Sequence, residues 1–313
     1  MLTYRSGFTF IFSILTVLTV LFILSTATAA SKITVDGPRY DNSTDIIEKN
    51  KLRDFVDEAA NYVKDNGKEK ALLEFNNRSG SFVRGELYIF AYDFNGTNIA
   101  HPIRPDLVGH DQRNLLDIND VAVARNELAL AKRGGGFLYL VFQNPVHENR
   151  EELKLVYLKK VDDSLWLGSG TYLSNMSASF GQSERDGLVD YVHEALQFAH
   201  ENGKDKALGA FNDPKGNFTR NGRYIFAYDY DGRNLALPYQ PKLIGTSRIG
   251  ARDPNGVDFV SQTIDAARMR DGSVYYTYPD ASRNMTLGLK LSYVVNVDDT
   301  WFLGSGIYTK SEM

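Results

Sequence analysis

The chain has 313 residues, 43% hydrophobic and 24% charged, which excludes a wholly disordered, collagenous or coiled-coil protein. Its 35 basic and 39 acidic residues give a net charge of -4 without a basic stripe, so no nucleic-acid partner is expected. The absence of cysteine removes disulfides, thiolate-bound metals, iron–sulfur clusters and a cysteine nucleophile.

The N-terminus reads as a targeting segment. Arg5 supplies positive charge, residues 8–24 are an apolar run, and small residues follow at Ala27 and Ala29. That A-x-A spacing suits signal peptidase, while the run approaches the roughly 20 residues that span a bilayer. Residues 1–30 are therefore expected to be a signal peptide or an uncleaved membrane anchor, with a linker over 31–44. Either way the body is exported to the periplasm, the cell surface or the extracellular space. Six Asn-x-Ser/Thr sequons, starting at Asn42, Asn77, Asn95, Asn175, Asn217 and Asn284, agree with a glycosylated surface.

The body is one domain written twice. Residues 52–173 align with 188–309 at a constant offset of 136, without a gap and with about 47 of 122 positions identical. Such a period is far too long for a solenoid, so each copy should be a full domain with its own core. The expected domains are 45–173 and 184–313, joined by a small, polar linker over 174–183.

Each copy predicts the same elements. A helix comes first, over 45–65 and 184–201, with Leu52, Phe55, Val56, Ala59 and Val63 on one stripe. Gly67 and Gly203 are placed to cap it in the left-handed region. A short helix follows over 68–75 and 204–211. A strand over 88–93 leads through the Asn95-Gly96 turn to a second strand over 99–102. A further helix is expected over 121–132 and 257–269. Three strands over 137–143, 153–161 and 165–172 close the copy, with equivalents 136 residues on. Helices grouped around hairpin-paired strands argue an α+β fold on an antiparallel sheet.

Strand alternation separates the faces. In the run 88–93, Tyr88, Phe90 and Tyr92 point one way, and Ile89 and Ala91 the other. The aliphatic face can sit under the long helix. The aromatic face needs a roof from residues 100–135, which leaves a concave space fit for a small molecule.

Several motifs recur in a fixed order and nearly cover the two copies. They are N-G-x-x-K-A-L, Y-I-F-A-Y-D-x-x-G-x-N-x-A-x-P, P-x-L-x-G, the pairs Asp117/Asn119 and Asp253/Asn255, K-x-x-Y at Lys154/Tyr157 and Lys290/Tyr293, and G-S-G-x-Y. In this order they resemble small, single-module Cache domains, the extracytoplasmic sensors related to PAS. The resemblance implies two tandem PAS-like domains. Each would be a long N-terminal helix packed on a roughly five-stranded antiparallel sheet, with a pocket for an organic acid, amino acid or similar metabolite. The copies depart from the pattern differently. The first keeps His101 and Asn144-Pro145 but has Leu140 where tyrosine is expected; the second keeps Tyr276 but has Leu237 in place of the histidine.

The candidate ligand-binding residues are Tyr88, Phe90, Tyr92, His101, Asp117, Lys154 and Tyr157 in the first copy. In the second they are Tyr224, Phe226, Tyr228, Asp253, Tyr276, Tyr278, Lys290 and Tyr293. Lysines would hold an anion, the aspartates an amine or simply a turn, and His101 a carboxylate with pH sensitivity. The G-S-G glycines are expected to let the long helix approach the last strand. There is no G-x-S-x-G elbow, P-loop or dinucleotide fingerprint, so no catalytic residue, metal or cofactor is expected and the protein does not read as an enzyme. With the chain ending soon after the last motif, no output module is expected. The favoured function is small-molecule sensing relayed to a membrane receptor or transporter. The competing one is a surface structural or adhesive protein with degenerate pockets.

Overall fold

The structure is a computed structural model that describes residues 43–220 and 222–309, with side chains from Glu48 onward. The targeting segment and the Asn42 sequon lie outside the described residues. The first copy contains α1 (Ser43–Asn66), α2 (Lys68–Phe75), β1 (Val83–Arg84), β2 (Leu87–Tyr88), β3 (Phe90–Tyr92) and β4 (Asn98–Ala100). It continues with α3 (Val123–Lys132), β5 (Gly135–Asn144), β6 (Arg150–Asp162) and β7 (Leu165–Tyr172). The second copy repeats the plan with α4 (Gln182–Asn202), α5 (Lys204–Phe211), β8 (Thr219–Arg220), β9 (Arg223–Tyr224), β10 (Phe226–Asp229) and β11 (Asn234–Ala236). It ends with α6 (Phe259–Arg268), β12 (Asp271–Asp280), β13 (Thr286–Asp298) and β14 (Trp301–Tyr308). This is an α+β fold with two five-stranded antiparallel sheets, ordered β4-β3-β7-β6-β5 and β11-β10-β14-β13-β12.

The helical stripe packs as its spacing dictates. Leu52, Phe55, Val56, Ala59 and Val63 of α1 are buried with Ile89, Ala91, Leu153, Leu155, Leu165 and Leu167 from one face of the first sheet. Each large side chain so buried contributes about 1.5–3 kcal/mol. The other face, with Tyr88, Phe90, Tyr92, Leu138, Leu140 and Trp166, packs under Val123, Ala124, Leu130 and Ala131 of α3. The two faces of β3 therefore divide as alternation requires.

Three local differences from expectation have physical causes. The strand expected over 88–93 is split, because Tyr88 pairs with Val83 in a small ribbon while Phe90–Tyr92 joins the main sheet. Helix α3 starts at Val123, because Asp117 already holds the backbone N–H of Val121 in a turn, 3.1 Å. Gly67 and Gly203 adopt φ 80, ψ 155 and φ 79, ψ 163, an extended positive-φ region open essentially to glycine, instead of a left-handed cap.

The copies form one compact unit along a seam with approximate twofold character. Asn126 Nδ2 of α3 donates to the Ser273 carbonyl of β12 at 2.9 Å, and its counterpart Gln262 Nε2 of α6 donates to the Phe137 carbonyl of β5 at 2.8 Å. Tyr275 donates to Asp117 Oδ2 at 2.8 Å and accepts from Asn119 Nδ2 at 2.9 Å. On the opposite side Tyr139 accepts from Asn255 Nδ2 at 2.7 Å. Arg133, just after α3, pairs with Asp265 of α6 at 2.8 Å. The segment between the copies is pinned as well. Ala178 and Phe180 are buried, Asn119 donates to the Ala178 carbonyl at 2.7 Å, and Phe180 stacks on Tyr275.

Candidate ligand-binding site

Each aromatic sheet face encloses a narrow cavity. The first, about 20 Å³, is lined by Tyr88, Phe90, Tyr92, His101, Val123, Glu127, Leu140, Phe142, Lys154 and Val156. The second, about 10 Å³, is lined by Tyr224, Phe226, Tyr228, Leu237, Phe259, Thr263, Tyr276, Tyr278 and Lys290. Both are of the size of a single water, so a ligand enters only as the lining side chains move aside.

Lys154 reaches the first cavity from the middle of β6. It is 2% exposed. Its ammonium donates to Tyr88 Oη at 2.8 Å and lies 4.0 Å from the Tyr88 ring centroid and 4.7 Å from that of Tyr172. The aliphatic stem runs where Gly170 has no side chain: a Cβ there would stand 2.6 Å from Lys154 Cε and 2.8 Å from the Leu155 carbonyl. Gly168 likewise makes room for Leu158 and Phe90. The G-S-G glycines thus face the cavity and seat the lysine. On β7 it is Ser169, on the same face as Leu165 and Leu167, that is directed toward α1. The expectation that these glycines admit the long helix is corrected accordingly.

His101 is buried against Tyr88, Phe90 and Phe142, and its Nδ1 accepts from the Arg104 N–H at 3.0 Å. Burial, reinforced by the Lys154 charge, lowers its pKa to about 3. The ring is therefore neutral, with its proton on Nε2, across the physiological range. The pH sensitivity expected of this histidine is not what its surroundings produce.

Lys290 is the counterpart in the second cavity, 1% exposed, donating to Tyr224 Oη at 3.0 Å. Rings of Tyr224, Phe226, Tyr276, Tyr278 and Tyr308 surround it at 4.6 to 5.8 Å. Burial lowers its pKa to about 7, against a weaker opposing effect of the Asp280 charge. Folding then releases a proton between pH 7 and the ordinary lysine value, so stability should rise with pH over that window, by at most about 5 kcal/mol. We expect the melting temperature to climb from pH 7 to 9, and Lys290→Met to remove the climb while melting at or above wild type at pH 7. A parallel rise in the variant would show that another group titrates.

Four candidate residues lie away from the cavities. Asp117 Oδ1 accepts from the N–H groups of Asn119 and Val121, and its Oδ2 from Val141 N–H and Tyr275. Asp253 Oδ1 accepts from Asn255 and Val257, and its Oδ2 from the N–H and hydroxyl of Thr277. These aspartates close turns at the seam. Burial raises the pKa of both, despite those hydrogen bonds. Tyr157 packs on Phe137 beneath Arg53, and Tyr293 meets His193 of α4. Residues Lys154 and Tyr157 are an odd number apart on one strand, so they face opposite sides of the sheet.

Two cavity residues that no sequence motif singles out are Glu127 and Thr263, equivalent positions one helical turn beyond Val123 and Phe259. The available signal was an acid on the buried stripe of α3. Glu127 is 2% exposed and burial raises its pKa to about 8, with the Lys154 charge opposing. A second buried cation, Arg248, stands near Tyr228 and Tyr278 in the second copy, where the first has Gln112. Among the described residues no group of three or more His, Cys, Asp or Glu side chains is arranged to hold a metal ion, and no helix is long and apolar enough to cross a membrane.

A curated relative, the sensor histidine kinase MctS of Rhizobium johnstonii, is 34% identical over 86 residues, which is 27% of this chain and 18% of the kinase. The chain thus matches under a fifth of that protein. Among solved structures, a methyl-accepting chemotaxis protein from Vibrio parahaemolyticus is 24% identical, over 41% of this chain and 90% of its own, with a TM-score of 0.37. A Cache chemosensory domain described for carboxylic acid recognition is 21% identical, over 43% of this chain and 99% of its own, with a TM-score of 0.38. The family model for the Cache domain matches residues 29–312, across both copies. With that match over nearly its whole length, the chain belongs to the Cache domain family, whose members are ligand-binding signalling domains.

Proposed function

We propose that this chain is an extracytoplasmic sensing protein that captures a small organic anion on a buried lysine and passes its occupancy to a membrane partner. The observation that carries the reading is Lys154. A lysine ammonium is rarely buried without a paired acid. Here it is held by a phenol and aromatic faces at one wall of a cavity, with no ion pair among the described residues. An incoming carboxylate would supply the missing charge. Tyr88, Phe90, Tyr92 and neutral His101 line the same space and set its size. Lys290, with Tyr224, Phe226, Tyr228, Tyr276 and Tyr278, gives the second copy a site of its own.

The proposed organisation is a leader over 1–30, Cache domains over 45–173 and 184–313, and short connections over 31–44 and 174–183. The family and the resemblance to a sensor kinase support extracytoplasmic sensing. The test is a melting screen of the full-length protein in detergent against small mono- and dicarboxylates, amino acids and amines. A ligand at a hundredfold excess over its Kd stabilises by about 2.7 kcal/mol. That is a shift of several degrees for one carboxylate-bearing class. A flat response to every carboxylate in a folded protein would sink the reading.

A further inference from the structure

A separate groove, of about 360 Å³, shares no lining residue with either cavity. It lies between one face of α4, carrying Gly187, Asp190, Tyr191 and Glu194, and the β8–β9 ribbon, which supplies Arg220 and Arg223. The equivalent positions in the first copy are Lys51, Asp54, Phe55, Glu58, Arg84 and Leu87. Part of the frame is common to both copies. Arg220 pairs with Glu194 as Arg84 does with Glu58, and each guanidinium covers the ring on its helix, at 5.1 and 4.9 Å. Three positions differ, and all three bear on one spot. In place of Leu87 the second copy has Arg223, whose guanidinium donates to the carbonyls of Gly187 at 2.6 Å and Glu184 at 3.2 Å. In place of Lys51 it has Gly187, where even a Cβ would stand 3.2 Å from Arg223 Nη1. In place of Phe55 it has Tyr191, 5% exposed, whose hydroxyl has no hydrogen-bond partner among the described residues.

A buried hydroxyl left unpaired is costly, and its persistence asks for an explanation at that place. Burial raises its pKa, with the Arg220 and Arg223 charges opposing, so it stays a protonated donor. Arg223 has five N–H donors, of which two go to carbonyls of α4, and it has no ion pair among the described residues. Arg220 is already compensated by Glu194. The groove therefore offers one uncompensated guanidinium and one unused phenol, and both donate. We propose that it is a site for a small, singly charged oxyanion, held by Arg223 and the Tyr191 hydroxyl together. Guanidinium and hydroxyl donors on one oxyanion make charge-assisted hydrogen bonds, which are the strong ones. A dianion is disfavoured, because Asp190 and Glu194 line the same groove and repel the second charge. Arg220 lies over the Tyr191 ring with 42% of its side chain exposed, so it can move to admit the ion. The first copy, with Phe55 and Leu87 at these places, has no such site.

The experiment is fluorine NMR of trifluoroacetate, a singly charged probe, with the full-length protein in detergent at constant ionic strength. Lys154→Met and Lys290→Met are present throughout, so that neither cavity competes for the probe. The expected result is broadening of the probe signal by this parent protein. Losing one hydrogen bond to a charged group weakens binding by about tenfold or more, so Tyr191→Phe should weaken the probe about tenfold and Arg223→Leu should remove its binding. Each substitution installs the residue that the first copy carries at the equivalent position, so the fold is kept. Tyr191→Phe should also melt no lower than its parent, since the hydroxyl it removes has no partner. Methanesulfonate should displace the probe about threefold more effectively than sulfate, its doubly charged analogue. The site is overturned if the parent does not bind the probe, or if both variants bind it as the parent does. It is overturned as well if Tyr191→Phe melts lower, because the hydroxyl then serves the fold. Preference for sulfate would overturn the restriction to a single charge. None of these results touches carboxylate capture in the cavities, whose lysines are already replaced.

Discussion

Lys154→Met is expected to abolish ligand stabilisation by the first copy while leaving the empty protein at least as stable as wild type. Truncating one partner of a buried, hydrogen-bonded charge pair costs about 2–5 kcal/mol, or roughly thirty- to several-thousandfold in affinity. The thioether keeps most of the stem that fills the groove over Gly170, so packing changes little. The empty protein loses one hydrogen bond to Tyr88 and is relieved of a buried ammonium. The measurement is a melting curve with and without the best ligand of the screen. A variant that melts lower when empty would show that Lys154 is a structural member of the core. A variant that still responds fully would move binding to the second cavity, where Lys290→Met is the matching test.

A second large effect is expected at the seam. Asp253→Ala removes the acceptor for three backbone N–H groups and the Thr277 hydroxyl. Each buried donor left unpaired costs about 1–3 kcal/mol, and partial relaxation brings the total to about 3–5 kcal/mol. Asp253→Asn keeps an acceptor oxygen for the turn and should lose about half as much. Chemical denaturation of both variants reads this directly. Equal stability of Asp253→Ala and wild type would mean that water replaces the carboxylate and that the turn does not depend on it.

The long α1 stripe, the parity of Tyr88, Phe90 and Tyr92, and the recurrence of Lys154 as Lys290 are local patterns, so the fold and the cationic centre of each cavity could be read from the sequence. Tyr157 and Tyr293 recur beside the lysines, yet the same parity argument puts them on the opposite face of each sheet. Asp117 and Asp253 were ambiguous for a deeper reason. An aspartate that closes a turn has the same local sequence whether its second oxygen meets a ligand, Val141 and Tyr275, or solvent. The twofold seam depends on pairs 116 to 158 residues apart, such as Asn255–Tyr139 and Asp117–Tyr275, and no local pattern encodes them. Glu127 was hidden by its helix, since an acid on α3 reads as solvated until the roof it forms is known.

The seam also determines what the sheets do at their borders. At the short end of each sheet, the outer backbone groups of β4 and β11 are already taken: Asn98 bonds with His110 and Gly109, and Asn234 with Thr246 and Gly245. At the long end, β5 and β12 begin against the opposite copy, with Phe137 bridged to Val257 and hydrogen-bonded by Gln262, and Ser273 held by Asn126. An unguarded strand ten residues long and rich in aromatic and β-branched side chains is a template for chain-to-chain addition. The other copy thus covers the start of each long strand, and farther along the same copy's Asp117 and Asp253 take the N–H groups of Val141 and Thr277. Part of the guarding of each exposed edge therefore comes from the neighbouring copy, whatever either cavity binds.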